Sequence, residues 1–396
     1  INATKYKLIV LMKGGLIEDV RESLLQDKEF CVGYIQRKVI KIIAKAFLPE
    51  DFGDNDYMLT DEETEKQKAK YRQFLHDVFK GVNRNVNIDS FFTGNYGYYA
   101  ERELANALRT LNIKFIAMHK ETLKSPDRQK FFEKVYKERR GKFTGDAILV
   151  YNETEKRVQV AAQVDESDRI IVTGMSRMDP LHRWRKEEGE KNEAKGKKTV
   201  LFFFFSDNQG LPYLNGGGCS LKWDELNFIY NSLIIELSKD YRDIEFIVKA
   251  KNNSTSIKDI EKYYENEEKS QNLKIVIGGD PQQYIKECTV ACGFNTTAVL
   301  EAIAADKPVL VPNFAEATKK EYKGYVLDYE NAVDYANSKE QLRKKIICYC
   351  RDGMRTEKET SGLTASREAI LKKWAYNADG KAGERVCKSI KKILAN

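Results

Sequence analysis

The run Gly293-Phe294-Asn295-Thr296-Thr297-Ala298-Val299-Leu300-Glu301 sets a glycine, an amide and two hydroxyls ahead of an apolar helical stretch. A short apolar run from Thr289 to Cys292 precedes it and reads as a strand. A strand that stops at glycine, followed by small hydroxylated residues that open a helix, makes an anion site. The first-turn amides have no intrahelical acceptors and the helix dipole is positive at that end. The Thr296 and Thr297 hydroxyls can cap the helix and donate to a phosphate. Glu301 lies one turn beyond Thr297, within reach of a ribose hydroxyl. The plain alternative is an ordinary capped helix of an α/β domain.

A second group of ionisable residues follows strand-like segments in the first half. Lys114 to Met118 runs into His119-Lys120-Glu121, Ala147 to Tyr151 runs into Asn152-Glu153, and Arg169 to Val172 runs into Thr173-Gly174, with Asp179 five residues on. Groups at a sheet's carboxyl edge are placed for acid–base or nucleophilic work. His119, Glu121, Glu153 and Asp179 are therefore the catalytic candidates. Glu121 leads them, because it follows its strand by a few residues and has cationic neighbours that can tune it. Glu101 and Glu103, beyond Gly94-Asn95-Tyr96-Gly97, read as ordinary charges at a helix start. Gly216-Gly217-Gly218 lacks the Lys-Ser/Thr of a P-loop and reads as a flexible lid.

These groups need a scaffold of strands and helices, and the sequence supplies an alternating series. Lys7 to Met12 is a strand ending at Gly14-Gly15. Glu18 to Phe30 and Tyr34 to Phe47 carry helical spacing. Lys66 to Phe79, Ala100 to Leu111 and Arg128 to Arg139 read as helices, and Ile88 to Phe92 as a strand. After the polar run Arg185 to Lys198 the alternation resumes with strand Thr199 to Phe205. It continues through helix Trp223 to Leu237, strand Glu245 to Lys249, helix Ser256 to Glu265, strand Leu273 to Gly278 and helix Pro281 to Cys288. The glycine-led motif and strand Pro308 to Val311 come next, and helices Lys339 to Cys348, Ala365 to Trp374 and Gly383 to Leu394 close the series. Strand–helix alternation predicts parallel sheets. The expected domains are 1–184 and 199–396, joined by the charged linker 185–198, with a cleft between the carboxyl edges of two sheets.

Bulk properties exclude several classes. The chain has 396 residues, enough for two domains of average size, with 42% hydrophobic and 32% charged residues. No apolar run approaches the roughly 18–20 residues of a membrane span. Seven cysteines, an odd number without a Cys-x-x-Cys pair, read as reduced thiols rather than a disulfide frame or a zinc site. Three dispersed histidines argue against a His-rich metal site. The net charge of +7 suits a mixed surface, and no zinc-finger, KH or RRM signature points to nucleic acid.

The motif Gly-x-Asn-Thr-Thr-x-x-Leu-Glu-Ala at Gly293–Ala302, with Lys307-Pro308-Val309-Leu310-Val311-Pro312, resembles the donor-binding signature of GT-B glycosyltransferases, CDP-glycerol glycerophosphotransferases and UDP-GlcNAc 2-epimerases. The likeness extends over roughly 199–395. It implies two Rossmann-like domains facing each other across a cleft. Thr173-Gly174-Met175-Ser176-Arg177-Met178-Asp179 is similar to the Thr-Gly-x-Pro-Arg-x-Asp turn of surface-polysaccharide transferases, with Ser176 where proline is usual. Ile247-Val248-Lys249-Ala250-Lys251 is similar to a strand whose basic end faces donor phosphate. It lacks the His-Pro of many relatives and leaves Lys249 and Lys251 as substitutes. The tail Asp379-Gly380-Lys381-Ala382-x-x-Arg385-Val386 resembles the closing helix of these enzymes, which packs back on the first domain.

The resemblance implies a metal-independent glycosyltransferase with no cofactor. Its donor site would comprise Gly174, Arg177, Lys249, Lys251, Gly293, Asn295, Thr296, Thr297 and Glu301. Bacterial enzymes of capsule and lipopolysaccharide assembly, including β-Kdo transferases that use CMP-Kdo, are the nearest likeness. The expected partners are a nucleotide-sugar donor and a glycan or glycolipid acceptor. The expected location is cytoplasmic, with peripheral association at the inner face of the cytoplasmic membrane. Glycerol- or ribitol-phosphate transfer from a CDP donor, UDP-GlcNAc 2-epimerisation and non-catalytic nucleotide-sugar binding are the alternatives.

Overall fold

The computed structural model describes residues 4–121, 123–188, 197–212, 220–265, 270–352 and 357–395. The expected lid at Gly216–Gly218 and most of the linker 185–198 lie outside the described residues. The chain forms two units. One comprises 1–122, 129–180 and 373–396, the other 123–128 and 181–372.

In the first unit the elements run β1 (Tyr6–Met12), α1 (Ile17–Arg21), β2 (Phe30–Gln36), α2 (Arg37–Lys45), α3 (Glu62–Val86), β3 (Ser90–Thr93), α4 (Tyr99–Arg109), β4 (Lys114–His119), α5 (Pro126–Val135), β5 (Ala147–Val150), α6 (Glu153–Ala161) and β6 (Ile170–Val172). All pairings are parallel, in the order β2-β1-β3-β4-β5-β6. The inner strands β3 and β5 are buried throughout, as expected for strands covered by helices on both faces. The core beneath them joins Leu11, Phe91, Ala117, Ile148 and Val150 to Tyr71, Leu75 and Phe79 of α3 and Leu104 and Leu108 of α4.

Helix α7 (Asp179–Glu188) leads into the second unit, which runs β7 (Thr199–Phe203), α8 (Asp224–Asp240), β8 (Glu245–Ala250), α9 (Ser254–Tyr264), β9 (Leu273–Ile277), α10 (Gln282–Glu287), β10 (Val290–Cys292), α11 (Thr297–Ala304), β11 (Val309–Pro312), β12 (Asp334–Ala336), α12 (Lys339–Arg351) and α13 (Glu357–Ala375). Its sheet is also parallel, in the order β12-β11-β10-β7-β8-β9. The strand order reverses between β7 and β10 in this sheet and between β1 and β3 in the other. Open α/β sheets bind ligands at such reversals, outside the carboxyl ends of the strands.

Several elements differ from the sequence expectation, the unexpected α7 and the five-residue α1, in place of a helix to Phe30, among them. Residues 30–36, of which 30 and 34–36 were expected in helices, form the edge strand β2 along the whole length of β1. A Cβ on Gly33 would meet the Ile9 side chain at 2.8 Å, so glycine lets the edge strand lie close. The helix begins only at Arg37. Helix α6 was not expected; Asn152 starts it by accepting from Glu155 N at 2.9 Å. The short edge strand β12 was also missed.

The tail leaves the second unit before residue 396. From Lys373 the chain belongs to the first unit, where α14 (Ala382–Ala395) completes it. Asp179 accepts from Ala382 N at 3.1 Å and from Gly383 N at 2.8 Å. Asn152 Nδ2 donates to Trp374 O at 3.0 Å, and Arg385 Nε to Thr173 O at 2.7 Å. Lys391 pairs with Asp27 and Glu29, both at 2.7 Å.

Six described cysteines are free thiols, and Cys219 lies outside the described residues. Among the described residues no helix is long and apolar enough to cross a membrane.

Candidate functional site

At the reversal point of the second sheet, β10 ends at Cys292 and Gly293 follows. A Cβ there would meet Phe203 and Val299 at 3.0 Å, so the strand end fits only a glycine without adjustment. Asn295 follows in the left-handed region, φ 46°, which asparagine tolerates better than most residues. Its Nδ2 donates to Tyr325 O at 3.0 Å and its Oδ1 accepts from Leu327 N at 2.8 Å. Gln209 Nε2, from the loop after β7, donates to Asn295 O at 2.9 Å. Asn295 thus clasps two loops to the start of α11. Trp223 braces the same loops: its Nε1 donates to Gln209 O at 2.8 Å, and its ring packs on Phe294 and Tyr322 with centroids 4.9 Å apart in each case.

Thr296 caps α11, its hydroxyl accepting from Ala298 N at 3.4 Å, which leaves the hydroxyl proton able to donate. Thr297 is half-exposed at the first helical position. Glu301 is buried on the next turn and acts electrostatically on Lys249. Lys249, at the end of β8, donates to Gly278 O at 2.6 Å and Ala250 O at 3.2 Å. Burial lowers its pKa, against the pull of Asp280 and Glu301. Lys251 is exposed just beyond the strand. Gly293, Asn295, Thr296, Thr297, Glu301 and Lys249 therefore share one sheet edge, with helix dipole, hydroxyls, a cation and a carboxylate together. That set can hold a phosphate beside a polyol.

The first unit separates its expected residues. His119 is the last residue of β4 and is fully buried, with Nε2 3.0 Å from the Tyr136 hydroxyl and 3.0 Å from Glu155 Oε1. Its ring faces the interior. Asp179 is buried with its carboxylate on the α14 amides. Gly174, φ +86°, sits so close to the tail that a Cβ would meet Ala375 O at 3.0 Å. Ser176, in the place of the usual proline, donates to Asp19 Oδ1 at 2.9 Å, and Arg177 N donates to the same oxygen at 3.1 Å. Tyr151 OH donates to the other Asp19 oxygen at 2.5 Å. Here the turn from Thr173 to Asp179 fastens the tail to the first sheet. Glu153 is exposed in the first turn of α6, and Glu121 is exposed just past β4.

Around Glu121 the sheet edge gathers charges that sequence reading passed over. Lys13 Nζ donates to the Tyr98 hydroxyl at 2.6 Å, and the Arg37 guanidinium lies 3.5 Å from the centre of the Tyr98 ring. Arg37 Nε donates to Glu101 Oε1 at 2.5 Å, and the Thr93 hydroxyl donates to the other oxygen. Burial pushes the Glu101 carboxyl up to about 7, although Arg37 and Thr93 pull the other way. Lys120 Nζ donates to Gly14 O at 2.7 Å. Burial, with Lys13 nearby, pushes its ammonium down to about 8. The signal for Lys13 was its place directly after an apolar strand and before two glycines. Among the described residues no group of three or more His, Cys, Asp or Glu is arranged to hold a metal ion.

No protein-family model matches the chain, and no curated protein sequence matches it. Solved structures do match in fold. A Listeria monocytogenes protein assigned as a UDP-N-acetylglucosamine 2-epimerase superposes with TM-score 0.55 at 14% identity, covering 99% of this chain and 97% of that one. The Neisseria meningitidis UDP-GlcNAc 2-epimerase, solved with UDP-GlcNAc bound, gives 0.52 at 13% identity, covering 98% and 100%. A glycosyltransferase from Rickettsia africae gives 0.51 at 12% identity, covering 100% of both chains. At these identities the likeness is one of fold: the chain shares with these structures an α/β architecture, here two parallel six-stranded sheets.

Proposed function

We propose that the protein is a glycosyltransferase that takes a sugar from a nucleotide donor and adds it to a growing cell-surface glycan, with CMP-Kdo as the first donor to test. The observation that carries this reading is the set at the reversal point of the second sheet. There the start of α11 stands with Lys249 and Glu301 at one edge. In this reading the first-turn amides and the Thr296 and Thr297 hydroxyls bind the donor phosphate. Glu301 accepts from the ribose. The helix dipole and Lys249 stabilise the charge that develops on the leaving phosphate.

The acceptor oxygen requires a base, or an enzyme carboxylate must attack the anomeric carbon first. Glu121 is the preferred group. It is exposed at the carboxyl edge of the first sheet, and its charge is felt by Lys13 and Lys120. Glu153 is the next candidate. His119 faces the core and the Asp179 carboxylate caps a helix, which argues for positioning roles for both. Association with the inner membrane face fits an acceptor carried on lipid.

The test is a donor screen. CMP, CDP and UDP sugars are each tested for thermal stabilisation, followed by product analysis with surface-glycan acceptors. A ligand at one hundred times its Kd adds about 2.7 kcal/mol to stability. Stabilisation by a CMP sugar with transfer to glycan supports the reading. CDP-glycerol turnover, UDP-GlcNAc epimerisation, or binding without turnover each replaces it with a different function.

A further inference from the structure

Sheet order brings together two lysines that lie far apart in sequence. Lys13 follows β1 and Lys120 follows β4, with β3 between them. The strand axes are therefore two spacings apart, about 9–10 Å. Lys120 closes that gap by reaching over the end of β3 to the carbonyl of Gly14. Gly15 makes room for it: its φ is +79°, and a Cβ there would meet Lys120 Nζ at 2.8 Å. Lys13 lies beside the same turn, held by the Tyr98 hydroxyl and 4.7 Å from the ring centre.

Both lysines are half-buried, and each ammonium is held by a neutral oxygen. Among the described residues neither forms an ion pair with a carboxylate. Arg37 next to them is different, since Glu101 answers its charge directly. Glu121 acts on both lysines from beyond contact distance, as do Asp54 and Glu101 on Lys13 and Asp19 on Lys120. Two half-buried cations with no carboxylate in direct contact are still costly unless something completes them. Their position is the strand-order reversal of the first sheet, where α/β sheets take ligands. Each ammonium also retains donor protons beyond the single bond it makes.

We propose that Lys13 and Lys120 together bind an oxyanion, a carboxylate or phosphate, carried by the acceptor substrate, so that this protein extends an acidic or phosphorylated glycan. The word acceptor rests on the glycosyltransferase reading; the oxyanion site does not. The burial that lowers both lysine pKa values also accords with a site that is completed by an anion. The two sources of such an anion are the acceptor and the phosphates of the donor.

The experiment titrates the full chain by calorimetry with glucuronate, glucose 1-phosphate, inorganic phosphate, CMP and UDP. Lys13→Met, Lys120→Met and Glu301→Ala are compared with wild type, and Lys13→Arg serves as a charge-retaining control. Circular dichroism verifies folding. The expected result is that either methionine variant loses affinity for glucuronate or glucose 1-phosphate by about tenfold or more while CMP and UDP binding stays. Lys13→Arg should retain it, and Glu301→Ala should show the opposite pattern. If wild type binds none of the acidic probes, or the methionine variants bind them unchanged, the oxyanion site is overturned. If the methionine variants lose nucleotide affinity instead, the anion is the donor's and the acceptor assignment falls. Failure of wild type to bind any nucleotide would strike the glycosyltransferase reading alone and leave the acidic-probe result standing.

Discussion

Asp179 gives the most direct test of the structure, because the same carboxylate has a chemical role in the sequence reading and a capping role in the fold. It is 3% exposed and accepts from two backbone amides at the start of α14, Ala382 N at 3.1 Å and Gly383 N at 2.8 Å. Replacing a cap of this type with alanine costs about 0.5–2 kcal/mol. Two buried amides left without an acceptor raise that cost, each group by about 1–3 kcal/mol when fully unsatisfied. Partial relaxation and entry of water set the expected total for Asp179→Ala at about 2–4 kcal/mol. Asp179→Asn keeps one neutral acceptor and should cost about half as much.

Urea denaturation measures the global loss, and hydrogen exchange localises it. If α14 opens as a unit, its amides should exchange about 30- to 1000-fold faster in Asp179→Ala, since each 1.4 kcal/mol is a factor of ten. Strand β5 and helix α4 should be affected far less. Exchange in α14 within about threefold of wild type, with unchanged stability, would refute the capping assignment and return Asp179 to the catalytic candidates.

Glu101 should make stability depend on pH. Its carboxyl is raised to about 7 from 4.5, so the folded chain holds a proton that the unfolded chain releases, and stability falls as pH rises from about 4.5 to 7. Glu101→Gln should therefore flatten the fall in stability between about pH 4.5 and 7; an unchanged pH slope in urea denaturation counts against the burial argument. Asn295→Ala removes the clasp and places alanine at φ 46°, so a cost of about 2–3 kcal/mol with weakened nucleotide binding is expected, and wild-type stability would contradict the loop frame. Glu301→Ala should weaken nucleotide binding by about 1–3 kcal/mol in calorimetry, and unchanged affinity removes it from the ribose. Glu121→Gln should leave donor binding intact and lower kcat by about 10²-fold or more, and near-wild-type kcat passes the role to Glu153.

The parallel sheets were legible because their inner strands are continuous apolar runs, as at Ala147–Val150 and Thr199–Phe203. Edge strands were legible only in part: Ile170–Val172 and Leu273–Ile277 were, Phe30–Gln36 and Asp334–Ala336 were not. Phe30–Gln36 has one side open to water, and its pattern merges with the amphipathic residues of α2. The donor-side motif was legible because its glycine, amide, hydroxyls and carboxylate are nearly contiguous. Lys13 beside Lys120, and Asp179 on Ala382, are products of strand order and chain return at large separation. Glu101 looked like surface charge at a helix start; only packing against Arg37 and Thr93 makes it a buried acid.

The return of the tail also sets an order of assembly during synthesis. Domains built from one continuous stretch fold as they leave the ribosome, amino-terminal ones first. Here the sequence is inverted: almost all of the second unit is one stretch, 181–372, whereas the first unit awaits residues from Lys373 onward. Until those residues emerge, Asp179 has no α14 amides to receive, the Thr173 carbonyl has no Arg385, and the surface around Glu22 and Gly383 is uncovered. A nascent chain stalled before Lys373 would therefore carry a finished second unit and a first unit open to proteases, although the first unit was translated earlier.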